Sequence, residues 1–136
     1  MSEYTAIRYT PIILKGFSAF IIYLGGKNMV QGIDQYLPPD EQAKLSSDAV
    51  TVMDSQYRYF GGTFIAYGAA IAWTAYDIAE RQLLLNILLG GLMLTGIGRA
   101  ISGSIFGLTI PWLRRATVTE LIVPPVVYWF GVRKYA

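Results

Sequence analysis

The apolar run from Leu83 to Ile97 leads directly into an arginine, Arg99. A run of this length favours a helix that crosses a membrane. A guanidinium within hydrocarbon is costly unless it meets water, a carboxylate or an anionic ligand. Only 15% of the residues are charged, below the usual quarter of a soluble domain, which also favours a membrane protein. Any fold of this chain must therefore give Arg99 a partner.

Three further apolar segments accompany this run, and they predict an all-α, integral membrane four-helix bundle that forms a single domain over residues 1–136. We predict spans at about 12–30, 57–76, 83–103 and 117–132, with an extramembrane loop at 31–56. The first segment also has the basic start and short apolar core of a signal peptide. A span is favoured because no clean small-residue cleavage site follows Leu24.

The connections between the spans carry helix signals of their own. Pro39 suits the first turn of a short helix, and Ser47 suits the N-cap of a helix that continues into the second span. The long loop is therefore expected to form an ordered helical cap. The six residues 77–82 are a tight polar connection, which predicts that spans two and three are antiparallel neighbours.

The segment Ser104–Ala116 is apolar but interrupted. Gly107, Pro111 and the pair Arg114–Arg115 break its pattern, and Trp and Arg favour the headgroup level of a bilayer. We therefore predict an interfacial or partly re-entrant loop here and not a helix that spans.

The charge and residue content exclude several classes of function. The chain has no Cys and no His, which removes disulfides, Cys/His metal sites and Ser-His or Cys-His nucleophiles. A net charge of +2 without a basic stripe gives no reason to expect a nucleic-acid partner. We expect no metal, no cofactor and no enzymatic activity. Basic residues near the span ends are divided five to four between the two sides, a slight bias that favours cytoplasmic termini.

Three ionisable residues share one depth in the predicted bundle. Arg58 begins the second span, Arg99 lies near the end of the third, and Glu120 lies near the start of the fourth. All three fall within one or two helical turns of the same interface. On each helix, the residues three or four positions apart on the same face as the ionisable residue are small or polar. This pattern predicts that the three ionisable side chains face the inside of the bundle. The predicted ligand-binding residues are Arg58, Arg99, Glu120, Ser102 and Tyr128, and the predicted packing residues are Gly61, Gly62, Ala66, Gly91 and Gly98.

The segments around these residues resemble a known family. Arg58-Tyr59-Phe60-Gly61-Gly62, then Gly98-Arg99, then Glu120 and Pro125-Val126-Val127-Tyr128 are similar to a family of small bacterial four-span membrane proteins, classified as a domain of unknown function. The resemblance covers nearly the whole chain and implies a helical bundle in the bacterial inner membrane with a role in envelope integrity. The segment Ser104–Arg115 departs from the family by being more apolar than its polar loop.

Three functions compete for this architecture. The first is binding of an anionic lipid or fatty acyl ligand in support of envelope homeostasis, with Glu120 orienting the two arginines, since a guanidinium holds phosphate or carboxylate in a bidentate manner. The second is a small proton-coupled transporter or channel with Glu120 as the carrier. The third is a structural or assembly subunit in which the charges only clamp helices together. Membrane lipids are the expected partners, and a homo-oligomer or a larger membrane complex is left open.

Overall fold

The computed structural model describes the backbone of residues 3–135 and the side chains from Arg8 to Tyr135. This part of the chain contains helices and turns but no strand, which confirms the all-α prediction. Five α-helices follow one another: α1 (Glu3–Gln31), α2 (Pro39–Gln42), α3 (Ser47–Tyr76), α4 (Gln82–Phe106) and α5 (Pro111–Val127). A 3₁₀ turn at Gly32–Gln35 follows α1, and a π-helical turn at Tyr128–Val132 and a 3₁₀ turn at Arg133–Tyr135 follow α5.

Glycine and proline set most of the helix boundaries. Gly32 follows α1 with a φ of 55°, the left-handed conformation in which many helices end. Pro39 and Pro111 occupy the first turns of α2 and α5, where a missing N–H costs nothing. Gly107 ends α4 with a φ of 86°. The predicted helix start at Pro39 is therefore confirmed.

Two details of the predicted boundaries are wrong. The cap of α3 is Ser46, whose Oγ accepts the Ala49 N–H at 3.2 Å, whereas Ser47 is already the first helical residue. The segment Ser104–Ala116 is not a loop throughout, because α4 continues to Phe106 and α5 begins at Pro111. The proline that was expected to break this segment instead begins a helix, since its fixed φ suits a first turn.

The chain divides into two compact units. The first, which we call the α1–α3 unit, is Leu14–Trp73, and the second, the α4–α5 unit, comprises Met1–Ile13 and Thr74–Ala136. In the α1–α3 unit the two long helices run antiparallel: the Ser18 hydroxyl donates to the Gly68 carbonyl at 2.6 Å, and Gly25 lies against Gly61.

The α4–α5 unit is built on a helical hairpin. Residues 107–110 join α4 to α5, and the far ends meet where the Gln82 amide donates to the Val132 carbonyl at 3.1 Å. Thr10 packs against Gly131 in the π-helical turn. The fully buried side chains of the α4–α5 unit include Leu85 and Val132. The two helices are therefore fixed side by side along their length.

Two stretches of helix are long and apolar enough to cross a membrane: residues Arg8–Gln35 and Gln82–Phe106. The second carries Arg99 at a position well inside the helix. Their apolar side chains are largely exposed, among them Ile12, Tyr23, Leu83, Ile87, Leu94 and Ile101. Such surfaces match a lipid environment better than water.

Candidate functional site

An ion pair joins the two helices of the hairpin. The Arg99 Nε–H is shared between both carboxylate oxygens of Glu120, at 2.9 Å to Oε2 and 3.2 Å to Oε1. The Arg99 side chain is 30% exposed and that of Glu120 is 14% exposed. The sequence predicts that these two residues, 21 positions apart, lie at one depth of a bundle, and the structure brings their side chains into contact. The hairpin achieves this because α4 and α5 are antiparallel with a short connection.

Only one edge of the guanidinium is used. Among the residues that the structure describes, none accepts a hydrogen bond from the amino groups Nη1 and Nη2 of Arg99. A guanidinium presents its donors in a planar fork that matches phosphate or carboxylate. The pair therefore leaves the part of Arg99 best suited to an oxyanion available to a ligand.

Glycine brings the helices close enough for this contact. Gly96 lies one turn before Arg99, and a Cβ there would come within 3.1 Å of the Glu120 backbone and 3.0 Å of the Leu121 side chain. An alanine at this position would push α5 away from α4. Thr117, one turn before Glu120, is buried and donates its hydroxyl to the Leu113 carbonyl at 2.8 Å. The backbones of α4 and α5 are therefore closely packed on the turns next to the ion pair.

Two other predicted ligand-binding residues, Ser102 and Tyr128, take no part in the Arg99–Glu120 ion pair. Ser102 is exposed on α4, one turn beyond Arg99. Tyr128 is half exposed and lies in the π-helical turn, two turns beyond Glu120. Within the part of the chain that the structure describes, no hydrogen bond joins Tyr128 to the ion pair.

Arg58 forms a different ion pair, within the α1–α3 unit. Its Nε donates to Asp54 at 2.8 Å, and its Nη1 donates to the Met29 carbonyl at 2.6 Å and the Val30 carbonyl at 3.3 Å. These carbonyls belong to the last turn of α1, where backbone acceptors lack helical partners. Arg58 therefore holds the end of α1, and its acidic partner is Asp54.

Asp54 completes this arrangement, which we call the α1 clamp: Asp54, Arg58 and the chain from Met29 to Ile33. Its Oδ1 accepts the Ile33 N–H at 3.0 Å. The Arg58 guanidinium, and then the Ile33 N–H, lower the pKa of the Asp54 carboxyl below its usual 3.8. This pair was not among the interactions predicted from the sequence. The signal was present, because residues four apart on one helix face each other.

The predicted packing residues fall into two groups. Gly61 is buried, and a Cβ there would lie 2.7 Å from both the Gly25 carbonyl and the Met29 backbone. By contrast, a Cβ on Gly62, Gly91 or Gly98 would meet nothing within 4 Å, and Ala66 is exposed. The contacting face of α3 thus runs through Gly61, Ile65 and Gly68 and not along the predicted stripe.

Neither ion pair has the character of a metal site. Among the side chains described, no group of three or more acidic residues lies close enough to hold a metal ion. The chemistry these sites offer is hydrogen bonding and charge, through Arg99 and Glu120 above all.

Comparison with known proteins adds one result. The model of a family described as a domain of unknown function, DUF4345, matches residues 9–130. The chain belongs to the DUF4345 family. The match includes both helices of the hairpin and the α1 clamp, so the ion pairs lie within the DUF4345 domain itself. No curated protein and no solved structure matches the chain.

Proposed function

We propose that this DUF4345 protein is an integral membrane four-helix bundle that binds the phosphate or carboxylate of a lipid at Arg99. The observation that carries the proposal is that one edge of the Arg99 guanidinium makes no hydrogen bond to the described residues. Its Nη1 and Nη2 groups have no acceptor among the described residues, although the side chain is only 30% exposed. In hydrocarbon, unmet donors on a charged group are costly, and a lipid oxyanion supplies the acceptors.

The surroundings of Arg99 suit the rest of a lipid. Leu92 and Phe106 lie on α4 seven residues before and after Arg99, which places them on the same face of the helix, and Phe106 is exposed. An acyl chain lying along this surface would bury apolar area while its head remains at Arg99. The two long apolar helices supply the membrane setting. We place the protein in the bacterial inner membrane with cytoplasmic termini, where it supports envelope homeostasis.

Native mass spectrometry of the detergent-purified protein tests this proposal. The intact protein should retain a lipid, and Arg99→Ala should lose it. Arg115→Ala is the matched control, because Arg115 is an exposed arginine on α5 that forms no ion pair with any described residue. Equal lipid retention in all three proteins, or none in any, would refute lipid binding at Arg99.

A purely structural role is the second candidate, favoured by the fact that the ion pair links two helices. The double variant Arg99→Glu/Glu120→Arg distinguishes the two roles. A helix clamp survives the exchange, because an opposite-charge pair remains. A lipid site built on Arg99 does not, because the guanidinium moves to the other helix. If the double variant keeps its thermal stability but loses the lipid, lipid binding at Arg99 is supported. If neither its stability nor its lipid retention changes, the purely structural role is supported. The transporter alternative stays a prediction of the sequence alone.

A further inference from the structure

Each of the two predicted arginines has an acidic partner of its own. Arg58 is bound to Asp54 within the α1 clamp, and Arg99 is paired with Glu120 on the hairpin. The ligand therefore meets a neutral pair of opposite charges, in which a simple anion gains from Arg99 and is repelled by Glu120.

Glu120 has unused acceptor capacity as well. Both of its oxygens accept the same Nε–H of Arg99, and no other described group donates to them. Each carboxylate oxygen offers further lone-pair positions. The side chain is only 14% exposed. A cationic donor on the ligand would fill this capacity where water has little access.

We infer that the ligand is a zwitterionic lipid carrying a phosphoethanolamine group. Its phosphate binds Nη1 and Nη2 of Arg99, and its primary ammonium binds the Glu120 carboxylate. This inference rests on the proposed function and specifies its ligand. A primary ammonium has three N–H donors, whereas a choline group has none. The site should therefore separate ethanolamine from choline headgroups as well as from anionic glycerol headgroups.

Lipid competition in detergent tests the inference. Delipidated protein is titrated with phosphatidylethanolamine, phosphatidylcholine and phosphatidylglycerol of identical acyl chains, and binding is read by native mass spectrometry. We expect phosphatidylethanolamine to bind about tenfold more tightly than either competitor, which corresponds to about 1.4 kcal/mol. In Glu120→Gln the preference over phosphatidylglycerol should fall towards one, because the repulsion of anions and the attraction of the ammonium are both lost.

The variants separate failure of the inference from failure of the proposed function. Loss of all three lipids in Arg99→Gln, with binding kept in Arg115→Gln, supports the site itself. Arg99→Lys serves the same purpose if Arg99→Gln does not fold, and it should weaken binding of every lipid because it lacks the planar fork. Arg99-dependent binding in which phosphatidylglycerol equals or exceeds phosphatidylethanolamine overturns the inference alone. If every lipid binds regardless of which residue stands at position 99, both the inference and the proposed function are overturned.

A soluble ligand with the same headgroup is a distinct source. An excess of free phosphoethanolamine should leave bound phosphatidylethanolamine in place, because only the lipid gains from the apolar surface of α4. Displacement of the lipid by the free compound would overturn the assignment to a lipid.

Discussion

Two pairs of adjacent glycines offer a sharp test of how α1 and α3 pack. In each pair one glycine faces the other helix and its neighbour does not. A Cβ on Gly25 or Gly61 would lie 2.7 Å from the carbonyl oxygen of the other, whereas a Cβ on Gly26 or Gly62 would meet nothing within 4 Å. Alanine substitutions at adjacent positions thus differ only in which side of the helix receives a methyl group.

The expected energies follow from these contacts. Replacing glycine by alanine inside a helix stabilises it by about 0.5–1 kcal/mol, and this gain applies at both positions. At Gly61 the methyl group must also displace backbone atoms of α1, and overpacking of this kind costs about 1–3 kcal/mol. We therefore expect Gly62→Ala to be stabilising. Gly61→Ala should be about 1–3 kcal/mol less stable than Gly62→Ala.

Thermal unfolding in detergent, followed by helical circular dichroism, measures the difference. For a chain of this size each kcal/mol shifts Tm by roughly 3–5 °C. Gly61→Ala should thus melt several degrees below Gly62→Ala, and Gly25→Ala below Gly26→Ala. Equal Tm values within each pair would refute the close approach of α1 and α3 at Gly25 and Gly61.

Three further predictions concern the α1 clamp and the α4–α5 turn. Gly32→Ala should destabilise the fold by about 1 kcal/mol or more, because it strains a positive φ and places a Cβ on Asp54; a denaturant titration that shows no change contradicts this. Because the pKa of Asp54 is lowered in the folded state, its stabilising effect is complete above the usual value of 3.8 and is lost as pH falls through the lower folded value. The Tm difference between the intact protein and Asp54→Asn should therefore shrink below about pH 4, and a constant difference would exclude the Arg58 pair as its source. Trp112, exposed at the start of α5, should be quenched most strongly by lipids brominated near the headgroup when the other two tryptophans are replaced by phenylalanine. Stronger quenching by deeply brominated lipids would exclude an interfacial position for this turn.

Helix existence could be predicted from the sequence, and so could the meeting of Arg99 with Glu120. Apolar runs identify the long helices, and two successive antiparallel helices bring together residues at similar distances from the end at which they are joined. The error at Pro111 has a physical origin: proline ends one helix or begins the next, and the residues around it do not distinguish these cases.

The glycine faces were harder to predict because the stripe was traced in steps of four residues. Each such step drifts about 40° around a helix of 3.6 residues per turn. The positions Arg58, Gly62, Ala66 and Ala70 therefore wind away from any single neighbour. The observed face alternates steps of four and three, through Gly61, Ile65 and Gly68, which keeps it directed at one partner.

Arg58 has a local partner, Asp54, that the prediction from sequence did not include. Its contact with Asp54 requires only that α3 extend well before the predicted span, as it does from Ser47. A partner one turn away loses little conformational freedom in pairing. Local partners therefore take precedence when charges are assigned from sequence.

The short turn at 107–110 has a consequence for biosynthesis. Only these four residues separate α4 from α5, so the arginine and its glutamate leave the ribosome in quick succession, on two helices that can already lie side by side. In the proposed membrane setting, a hairpin that enters the bilayer as one body carries both charges with it as a neutral pair. The guanidinium then does not cross the oily interior alone, because its carboxylate partner enters with it.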